Sequence, residues 1–422
     1  MVEAGRVRES RRHLTIAYIH YGEQSGVTAS VTEALEARGH RVIPVFGRGP
    51  LELRDRVTGR PRVTPAVLLH LAAAAARFGD RALGYRWNTP FAFDVHSGFV
   101  GEMLAGLPLA PDVVLQNGAL FAPGRPPLRP YVVYLDHTRA LAERHGAEPA
   151  AGLPAPPAWG EAWRAREGET YRGAAALAAF SRHAARSAVE DYGAAAERTH
   201  VVGAGANVLP REVERADDGE TVLFVGRDFE RKGGPVLLDA FVRLRRARPR
   251  ARLLVVGPRR LRLMPEGVLQ LGPEPLEALP GLFARASVFA LPALREPFGL
   301  AFLDAMACAV PCVGTRVEAI PELVEHGRTG LLVPPADPVA LAAALERLLA
   351  RRDEARAMGA RGRERVLARF TWSEVARRLG DVLAEALRGA GPRAGSARGR
   401  PAGRAGRPAR DGEGRDQHPF LG

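Results

Sequence analysis

Short apolar runs alternate with amphipathic stretches along almost the whole chain. Such alternation predicts doubly wound α/β domains with parallel sheets. The predicted strands of the first half are Leu14–Ile19, Arg41–Phe46, Pro111–Leu115, Tyr131–Leu135 and Ala175–Phe180. Those of the second half are Thr221–Val225, Arg252–Val256, Val268–Leu271, Ser287–Leu291, Pro311–Val313 and Gly330–Val333. The pattern therefore predicts two Rossmann-like units in succession.

The boundary between the two units is predicted at a charged segment, residues 211–220. Near the other end of the second unit, Thr371 with Glu374 three residues later forms the pattern of a capping box and starts a last helix. The predicted organisation is an N-terminal extension (1–13), a first Rossmann-like domain (14–210), a second (211–370), a C-terminal helix (371–388) and a tail (389–422).

The formal charge of +13 makes a nucleic-acid-binding protein the first alternative. However, Lys232 is the only lysine among 60 basic residues, and the abundance of Arg, Ala, Gly and Pro indicates GC-rich codons. The basic residues are scattered, aromatic residues make up 6%, and no nucleic-acid-binding motif is found. We therefore expect no nucleic-acid partner. Seven of the arginines lie in residues 391–422, a segment with little apolar content that is predicted to be disordered.

Two features of the sequence predict a cytoplasmic protein. The apolar runs stay well short of the 18 or more residues of a membrane span. The first apolar run, Leu14–Ile19, is too short for the core of a signal peptide. Cys308 and Cys312 lie in an apolar stretch and are expected to be reduced, buried thiols. No zinc site is expected, and no other metal or cofactor.

The densest chemical signal is the segment 295–307, which follows the predicted strand Ser287–Leu291. Open α/β sheets bind their ligands at the carboxyl ends of strands. Glu296 and Asp304 are eight residues apart, which on a helix gives about 12 Å of rise and about 80° of rotation. Such carboxylates could bind two hydroxyl-bearing parts of one ligand. Gly299 would let backbone amides at a helix start meet a phosphate. The combination indicates a nucleotide-sugar site, although such carboxylates alone are usually ordinary exposed groups.

A second signal, residues 225–234, follows the first strand of the second half. Gly226 would let the chain turn, and Arg227 and Lys232 would direct two cations at a diphosphate. Cations placed there stabilise a departing nucleoside diphosphate without a metal ion. The alternative is a solvated basic loop.

Several motifs together resemble the retaining glycosyltransferases of family 4, also called group 1. They are Gly226-Arg227, Arg231-Lys232-Gly233, Glu296-Pro297-Phe298-Gly299-Leu300, Asp304-Ala305-Met306-Ala307, Pro311, Ala319-Ile320-Pro321-Glu322-Leu323-Val324 and 327–334. The match is specific over residues 221–375 and weaker over 14–210. It implies the GT-B arrangement, in which two Rossmann-like domains face each other across a cleft. The first domain would bind the acceptor and the second the nucleotide sugar, and the last helix would cross back to the first.

The resemblance also implies roles for single residues. Glu296 would contact hydroxyls of the donor sugar, Asp304 the ribose hydroxyls, and Arg227 with Lys232 the diphosphate. The backbone at 298–300 (Phe298, Gly299, Leu300) would line the sugar and phosphate pocket. Gly22 and Gly26 resemble the glycine loop that approaches the diphosphate, although the usual adjacent pair of glycines is absent.

His137 matches the histidine that lies near the anomeric centre of the donor in this family. Asp136 is the alternative, because the local sequence departs from the common pattern. A lone histidine at a strand end is also often structural. Ser181 and Glu322 resemble family positions as well, but each could simply cap a helix.

The resemblance implies transfer of a sugar from a UDP- or GDP-sugar to an acceptor hydroxyl with retention, in bacterial polysaccharide, glycolipid or natural-product synthesis. No side chain is an obvious nucleophile, so front-face attack without a metal ion is expected. The acceptor would be a glycan, a lipid-linked molecule or a small molecule. A non-catalytic sugar-nucleotide-binding scaffold is the main alternative, and a nucleotide-sugar epimerase is a further one. Basic residues at 243–250 could touch anionic lipid at the inner face of the membrane, although a solvated helix face explains them too.

Overall fold

Two parallel sheets of six strands form the frame of the protein in a computed structural model. The structure describes residues 13–22, 25–47, 49–54, 60–61, 63–146, 159–212 and 214–389. Residues 1–12 of the predicted extension and residues 390–422 of the predicted tail lie outside these ranges. The domain boundaries drawn from the sequence stay a prediction.

The first sheet has the strand order β2-β1-β3-β4-β5-β6. Its strands are β1 (Thr15–His20), β2 (Arg41–Phe46), β3 (Val113–Asn117), β4 (Tyr131–Leu135), β5 (Ala176–Ala179) and β6 (Thr199–Val201). Every residue of β3, β4 and β5 is buried, as expected for parallel strands covered on both faces.

Helices of the first half follow these strands. They are α1 (Val27–Glu36), α2 (Pro65–Phe78), α3 (Ala82–Tyr85), α4 (Pro90–Ala105), α5 (Arg139–Gly146), α6 (Glu161–Gly173) and α7 (Arg182–Glu190), with short 3-10 turns at Gly49–Leu51, Gly79–Arg81, Arg86–Asn88 and Ala196–Arg198. Threonine hydroxyls cap α2 and α4 at their N-termini, and a proline occupies the first turn of each. These caps satisfy backbone amides that have no partner inside the helix.

The second sheet has the strand order β12-β11-β10-β7-β8-β9. Its strands are β7 (Thr221–Val225), β8 (Arg252–Val256), β9 (Val268–Gly272), β10 (Val288–Leu291), β11 (Cys312–Thr315) and β12 (Gly330–Val333). Its helices are α8 (Gly234–Ala247), α9 (Leu279–Arg285), α10 (Leu300–Ala307), α11 (Ile320–Leu323), α12 (Pro338–Ala350), α13 (Arg352–Arg369) and α14 (Trp372–Gly389), with a 3-10 turn at Leu276–Ala278.

Strand order locates one switch point in each sheet, where the chain reverses direction across the sheet. In the first sheet this point lies between β1 and β3, and in the second between β7 and β10. Ligands of open α/β sheets bind in the crevice at such points. A ligand site in the second half is therefore expected at the loop after β7 and the loop after β10.

Each predicted strand matches an observed one to within a few residues. Strand β6 is absent from the sequence prediction, because its three residues are partly exposed and include His200. The predicted capping box is half right. The Thr371 hydroxyl accepts from the amide of Glu374 at 3.2 Å, but the Glu374 carboxylate pairs with Arg377 at 2.7 Å instead of returning to the cap.

The last helix, α14, packs on the first half of the chain, against α1 and strands β3, β4 and β5. The chain crosses between the halves after β6 and again between α13 and α14, and these two crossings lie side by side. The amide of Ala206 donates to the carbonyl of Phe370 at 2.8 Å, and Nε of Arg378 donates to the carbonyl of Val202 at 2.9 Å. The apolar face of α14 includes Leu379, which is fully buried.

Replacement of Leu379 by Ala should lower the free energy of unfolding by about 2–5 kcal/mol, because it leaves a cavity between α14 and the first sheet. Chemical denaturation followed by far-UV circular dichroism measures the change. Leu367→Ala on α13 is the matched control, since that side chain is 47% exposed. Equal losses in both variants would contradict the packing described here.

Candidate functional site

The loops after β7 and β10 approach each other closely at Gly233. This residue has φ of 74°, and a Cβ atom there would lie 1.8 Å from the carbonyl oxygen of Pro292. Only glycine fits both the left-handed backbone and this approach. The contact holds the basic loop against the loop that carries Glu296.

Lys232 lies across Gly226 at the end of β7. A Cβ atom on Gly226 would lie 2.3 Å from Cδ of Lys232, so the missing side chain makes room for the lysine stem. The lysine side chain is 16% exposed, and its Nζ is 3.4 Å from Oε2 of Glu296. The two predicted site residues from different loops are thus brought together.

Arg231 is a second cation beside Glu296, and the sequence interpretation assigned it no role of its own. One of its guanidinium nitrogens is 3.6 Å from Oε2 of Glu296 and donates to the carbonyl of Arg295 at 2.6 Å. Nε of the same side chain bonds to Asp228 at 2.9 Å. Arg227, in contrast, is exposed and makes no hydrogen bond or ion pair with the residues that the structure describes.

Glu296 is the central carboxylate of the site. Its side chain is 10% exposed and lies between the two cations. Oε2 is buried and accepts no hydrogen bond from any described residue, although both cations are near. A buried acceptor without a hydrogen-bond donor is rare in folded proteins, and it marks Glu296 as a candidate binding or catalytic group.

The segment after Glu296 starts α10. Phe298 is buried and meets Phe180 of the first half edge to face, with ring centroids 5.4 Å apart. Gly299 has φ of 105°, and Leu300 is the first helical residue. Glu296 therefore lies in the loop, outside the helix, and the helical spacing considered between Glu296 and Asp304 is wrong.

Asp304 binds the crossing that follows β6. Its Oδ1 accepts from the amides of Asn207 at 2.7 Å and Val208 at 2.9 Å. Burial raises the pKa of Asp304 to about 7, although the two amides and Lys232 act in the opposite direction. The role in ribose binding stays a prediction, whereas the contact present in the structure fixes α10 to the crossing.

His137 faces the second half across the cleft. Its Nε2 lies 3.0 Å from Oε1 of Glu318, whose other oxygen accepts from the amide of Glu296. Burial raises the pKa of the neighbouring Asp136, and the carboxylate of Glu296 acts in the same direction. Val317 and Glu318 stand where many members of the resembled family carry two glycines, a departure that points to this part of the pocket, but the sequence gives no sign of the contact with His137.

The loop after β1, which contains Gly22 and Gly26, contacts the crossing that follows β6. Gly26 has φ of 82°, and a Cβ atom on it would lie 2.9 Å from Oδ1 of Asn207. The side-chain amide of Asn207 donates to the carbonyl of Ser25 at 2.7 Å. Gly22 has φ of 128°, and apart from its chain neighbours no described residue comes within 4 Å of where its Cβ atom would lie. Contact of Gly22 and Gly26 with a diphosphate stays a prediction.

Ser181 and Glu322 both cap α7, as the simpler interpretation expects. The Ser181 hydroxyl accepts from the amide of Ala184 within its own helix. The Glu322 carboxylate comes from the second half and accepts from the amides of Arg182 and His183 at 2.8 and 2.9 Å. This contact is a second polar bridge across the cleft, beside a cavity of about 460 Å³.

Two kinds of feature are absent from the residues that the structure describes. No group of three or more His, Cys, Asp or Glu side chains there is arranged to hold a metal ion. None of the described helices combines the length and apolar character needed to cross a bilayer. Cys308 and Cys312 are both buried free thiols.

Asp304 should make the stability of the protein depend on pH. Because the folded protein binds the Asp304 proton more tightly than the unfolded chain does, this group favours folding below about pH 4. The contribution is lost as pH rises through about 7. An asparagine side chain cannot ionise but can accept the same two bonds, so Asp304→Asn should gain up to about 4 kcal/mol of unfolding free energy over the wild type between pH 4 and 8.

Urea denaturation at several pH values measures this difference. Asp239→Asn, which removes the same charge from an exposed position on α8, is the control. Parallel pH profiles for wild type and Asp304→Asn would contradict the burial of an ionisable carboxyl at this position.

Comparison with known proteins connects this geometry to one family. Residues 219–351 match the family model described as "Glycosyl transferases group 1". A D-inositol 3-phosphate glycosyltransferase of Thermobispora bispora is 34% identical over 232 residues, 48% of this chain and 54% of the relative. A GDP-mannose-dependent alpha-(1-6)-phosphatidylinositol monomannoside mannosyltransferase of Mycobacterium tuberculosis is 34% identical over 41% of this chain and 49% of the relative. The chain thus matches about half the length of these curated relatives.

Solved structures match almost all of the described chain. Sucrose-phosphate synthase from Thermosynechococcus elongatus has a TM-score of 0.63 at 22% identity, covering 88% of this chain and 99% of its own. WaaG, a glycosyltransferase involved in lipopolysaccharide biosynthesis, has a TM-score of 0.60 at 16% identity, covering 87% and 99%. At these identities the likeness concerns the fold, which is GT-B. Through residues 219–351, the chain is thus similar to the group 1 glycosyl transferases.

Proposed function

We propose that this protein transfers a sugar from a UDP- or GDP-sugar to an acceptor hydroxyl, with retention of the anomeric configuration. The observation that carries the proposal is the buried Oε2 of Glu296, which lacks a hydrogen-bond donor among the described residues and lies beside Lys232 and Arg231 at the switch point of the second sheet. A ligand that combines hydroxyl donors with a diphosphate would satisfy all three side chains.

The two cations supply the charge that a diphosphate needs. Lys232 and Arg231 lie 3.4 and 3.6 Å from the Glu296 carboxylate, whose single negative charge offsets part of their positive charge. When the diphosphate enters, they turn to its oxygens, and they stabilise the negative charge that develops as the sugar departs. Arg227, exposed at the start of the same loop, adds a third cation. This charge replaces the one that a metal ion would supply, so we propose a reaction without a metal.

In the proposed reaction, Glu296 then binds the donor sugar. Released from the cations, its carboxylate accepts hydrogen bonds from sugar hydroxyls and orients the ring over the diphosphate. The backbone of Phe298, Gly299 and Leu300 closes the pocket on one side, where the amides at the start of α10 face the phosphate. We keep Asp304 as the proposed ribose contact, which requires its carboxylate to exchange a backbone amide of the crossing for a ribose hydroxyl.

The acceptor approaches from the first half of the chain. His137 lies at the carboxyl end of β4 and faces Glu296 through Glu318. The acceptor hydroxyl attacks the anomeric carbon on the face from which the diphosphate leaves, and a diphosphate oxygen takes its proton. Closure of the two halves excludes water during this step.

The setting that we propose is bacterial glycolipid, polysaccharide or natural-product synthesis. The names of two relatives mention an inositol phosphate and a phosphatidylinositol mannoside, which suggests a polyol or glycolipid acceptor. The proposal includes peripheral contact with an anionic membrane through the basic segment 243–250, although part of the charge of this segment is already paired within the chain. Three arginines of the basic segment 243–250 form ion pairs, Arg243 with Asp239, Arg245 with Glu266 and Arg248 with Glu220.

A nucleotide panel tests the donor site. UDP, GDP, ADP and their common sugar conjugates are added with a chelator, and thermal unfolding is recorded. One nucleotide at about 100 times its dissociation constant should stabilise the protein by about 2.7 kcal/mol. Lys232→Ala should weaken that binding by about 10- to 100-fold, since it removes a charge-assisted contact worth about 1.5–3 kcal/mol.

A control variant and a turnover assay make the panel decisive. Arg243→Ala removes an exposed arginine outside the cleft and should bind like the wild type. Turnover of the donor that binds is then measured with alcohol acceptors, and NMR of the product gives the anomeric configuration. Binding without turnover would favour the scaffold alternative, acceptor-independent conversion of the donor would favour an epimerase, and an inverted product would exclude retention. If no nucleotide raised the unfolding temperature, the result would contradict the proposal.

A further inference from the structure

Glu318 occupies a costly backbone conformation inside the cleft. It has φ of 44°, in the left-handed region that side-chain-bearing residues seldom adopt. Its side chain is only 1% exposed. Strain of this kind persists where surrounding contacts over-determine the position, and it concentrates at functional sites. The position therefore calls for a carboxylate strongly enough to retain a residue that its backbone disfavours.

The carboxylate joins residues from both halves. Oε1 lies 3.0 Å from Nε2 of His137 at the carboxyl end of β4, and Oε2 accepts from the amide of Glu296 in the loop after β10. The chain places Glu318 itself between β11 and α11. One side chain thus connects the proposed acceptor-side histidine to the proposed donor loop.

The contact also determines which nitrogen of His137 carries a proton. An ionised carboxylate can only accept hydrogen bonds, so Nε2 must donate to it. The hydrogen-bond partner of one ring nitrogen sets the protonation state of the other. Glu318 therefore holds the imidazole in one orientation with its Nε2 proton directed at the second half. The other charged groups around this contact are Asp136, Arg139, Glu296, Arg231 and Lys232.

We propose that Glu318 is a positioning residue for the transfer reaction and acts through His137, keeping the imidazole oriented and its Nε2 protonated against the donor loop. The inference rests on the function proposed above and adds a residue to it. It does not require Glu318 to touch the donor, the acceptor or the reacting atoms.

The decisive variant is Glu318→Gly, because glycine adopts the left-handed backbone without strain and the protein should fold. Ala336→Gly is the matched control, since Ala336 is exposed and has φ of 55° outside the cleft. Release of UDP or GDP from UDP-glucose and from GDP-mannose is measured in separate assays. Glu318→Gly should lower kcat by about 100-fold, the scale expected when a reacting group is misplaced, with little change in donor KM. Ala336→Gly should match the wild type.

A double-mutant cycle separates positioning from a merely structural role. If Glu318 acts through His137, Glu318→Gly should have almost no further effect on kcat in a His137→Ala background. The same loss in both backgrounds, or full activity of Glu318→Gly, would overturn the proposal. Glu318→Gln retains the size of the side chain and should restore the melting temperature but not kcat. The one amide oxygen of Gln can accept from Nε2 of His137 or from the amide of Glu296 but not from both. Wild-type turnover by Glu318→Gln would therefore show that the link between these two groups plays no part, and it would overturn the proposal.

A spectroscopic measurement tests the contact without any assay of turnover. NMR of the protein with isotope-labelled histidine assigns the His137 ring by its absence in His137→Ala. The wild-type ring should carry its proton on Nε2, and Glu318→Gly should change that signal. An unchanged signal would overturn the proposal even if the enzyme were active. If the wild type releases nucleotide from neither donor while this signal responds as expected, the proposed function fails and the Glu318–His137 contact stands.

Discussion

The approach of Gly233 to the carbonyl of Pro292 is the constraint on which the site depends. A Cβ atom at 233 would lie 1.8 Å from that oxygen, so the loops after β7 and β10 can lie side by side only because 233 is glycine. Gly226 accommodates the stem of Lys232 in the same way. These two absences of a side chain bring Lys232 to 3.4 Å from Glu296 at the switch point of the second sheet. The carboxylate and the cations then compensate each other's desolvation, which a buried ion pair requires to persist.

Contact between the two halves depends on side chains that bind backbone groups. Asp304 accepts from two amides of the crossing, Glu322 caps α7 from the opposite half, and Arg378 donates to the carbonyl of Val202. A backbone group is present whatever residue occupies the position, so such contacts depend on where the chain passes. Glu318 differs from them, because it joins a side chain, His137, to the backbone of the loop after β10. That difference is why it can influence chemistry as well as shape.

Several arginines serve to hold the fold together. Arg363 donates to the carbonyls of Pro210 and Arg211 at 2.9 Å, and Arg365 to the carbonyls of Leu323 and Glu322 at 3.0 and 2.8 Å. Arg215 binds the carbonyl of Phe283 at 2.8 Å. The planar guanidinium has five donors and serves several carbonyls at once, which a lysine cannot do with the same geometry. Arginines used in this way do not form the exposed basic stripe of a nucleic-acid-binding surface.

The sequence by itself determined eleven of the twelve strands and the two-unit organisation, and it singled out Glu296 and Lys232 as candidate site residues, because burial periodicity and glycine positions are local signals. Strand β6 was not predicted, since its three partly exposed residues carry no hydrophobic periodicity. Only the tertiary structure decided the rest. It placed Asp304 on the amides of the crossing, added Arg231 to the site and brought Glu318 to His137, 181 positions away in the chain. Contacts between such distant residues depend on how two sheets pack, and no local pattern of apolar and polar residues encodes that packing.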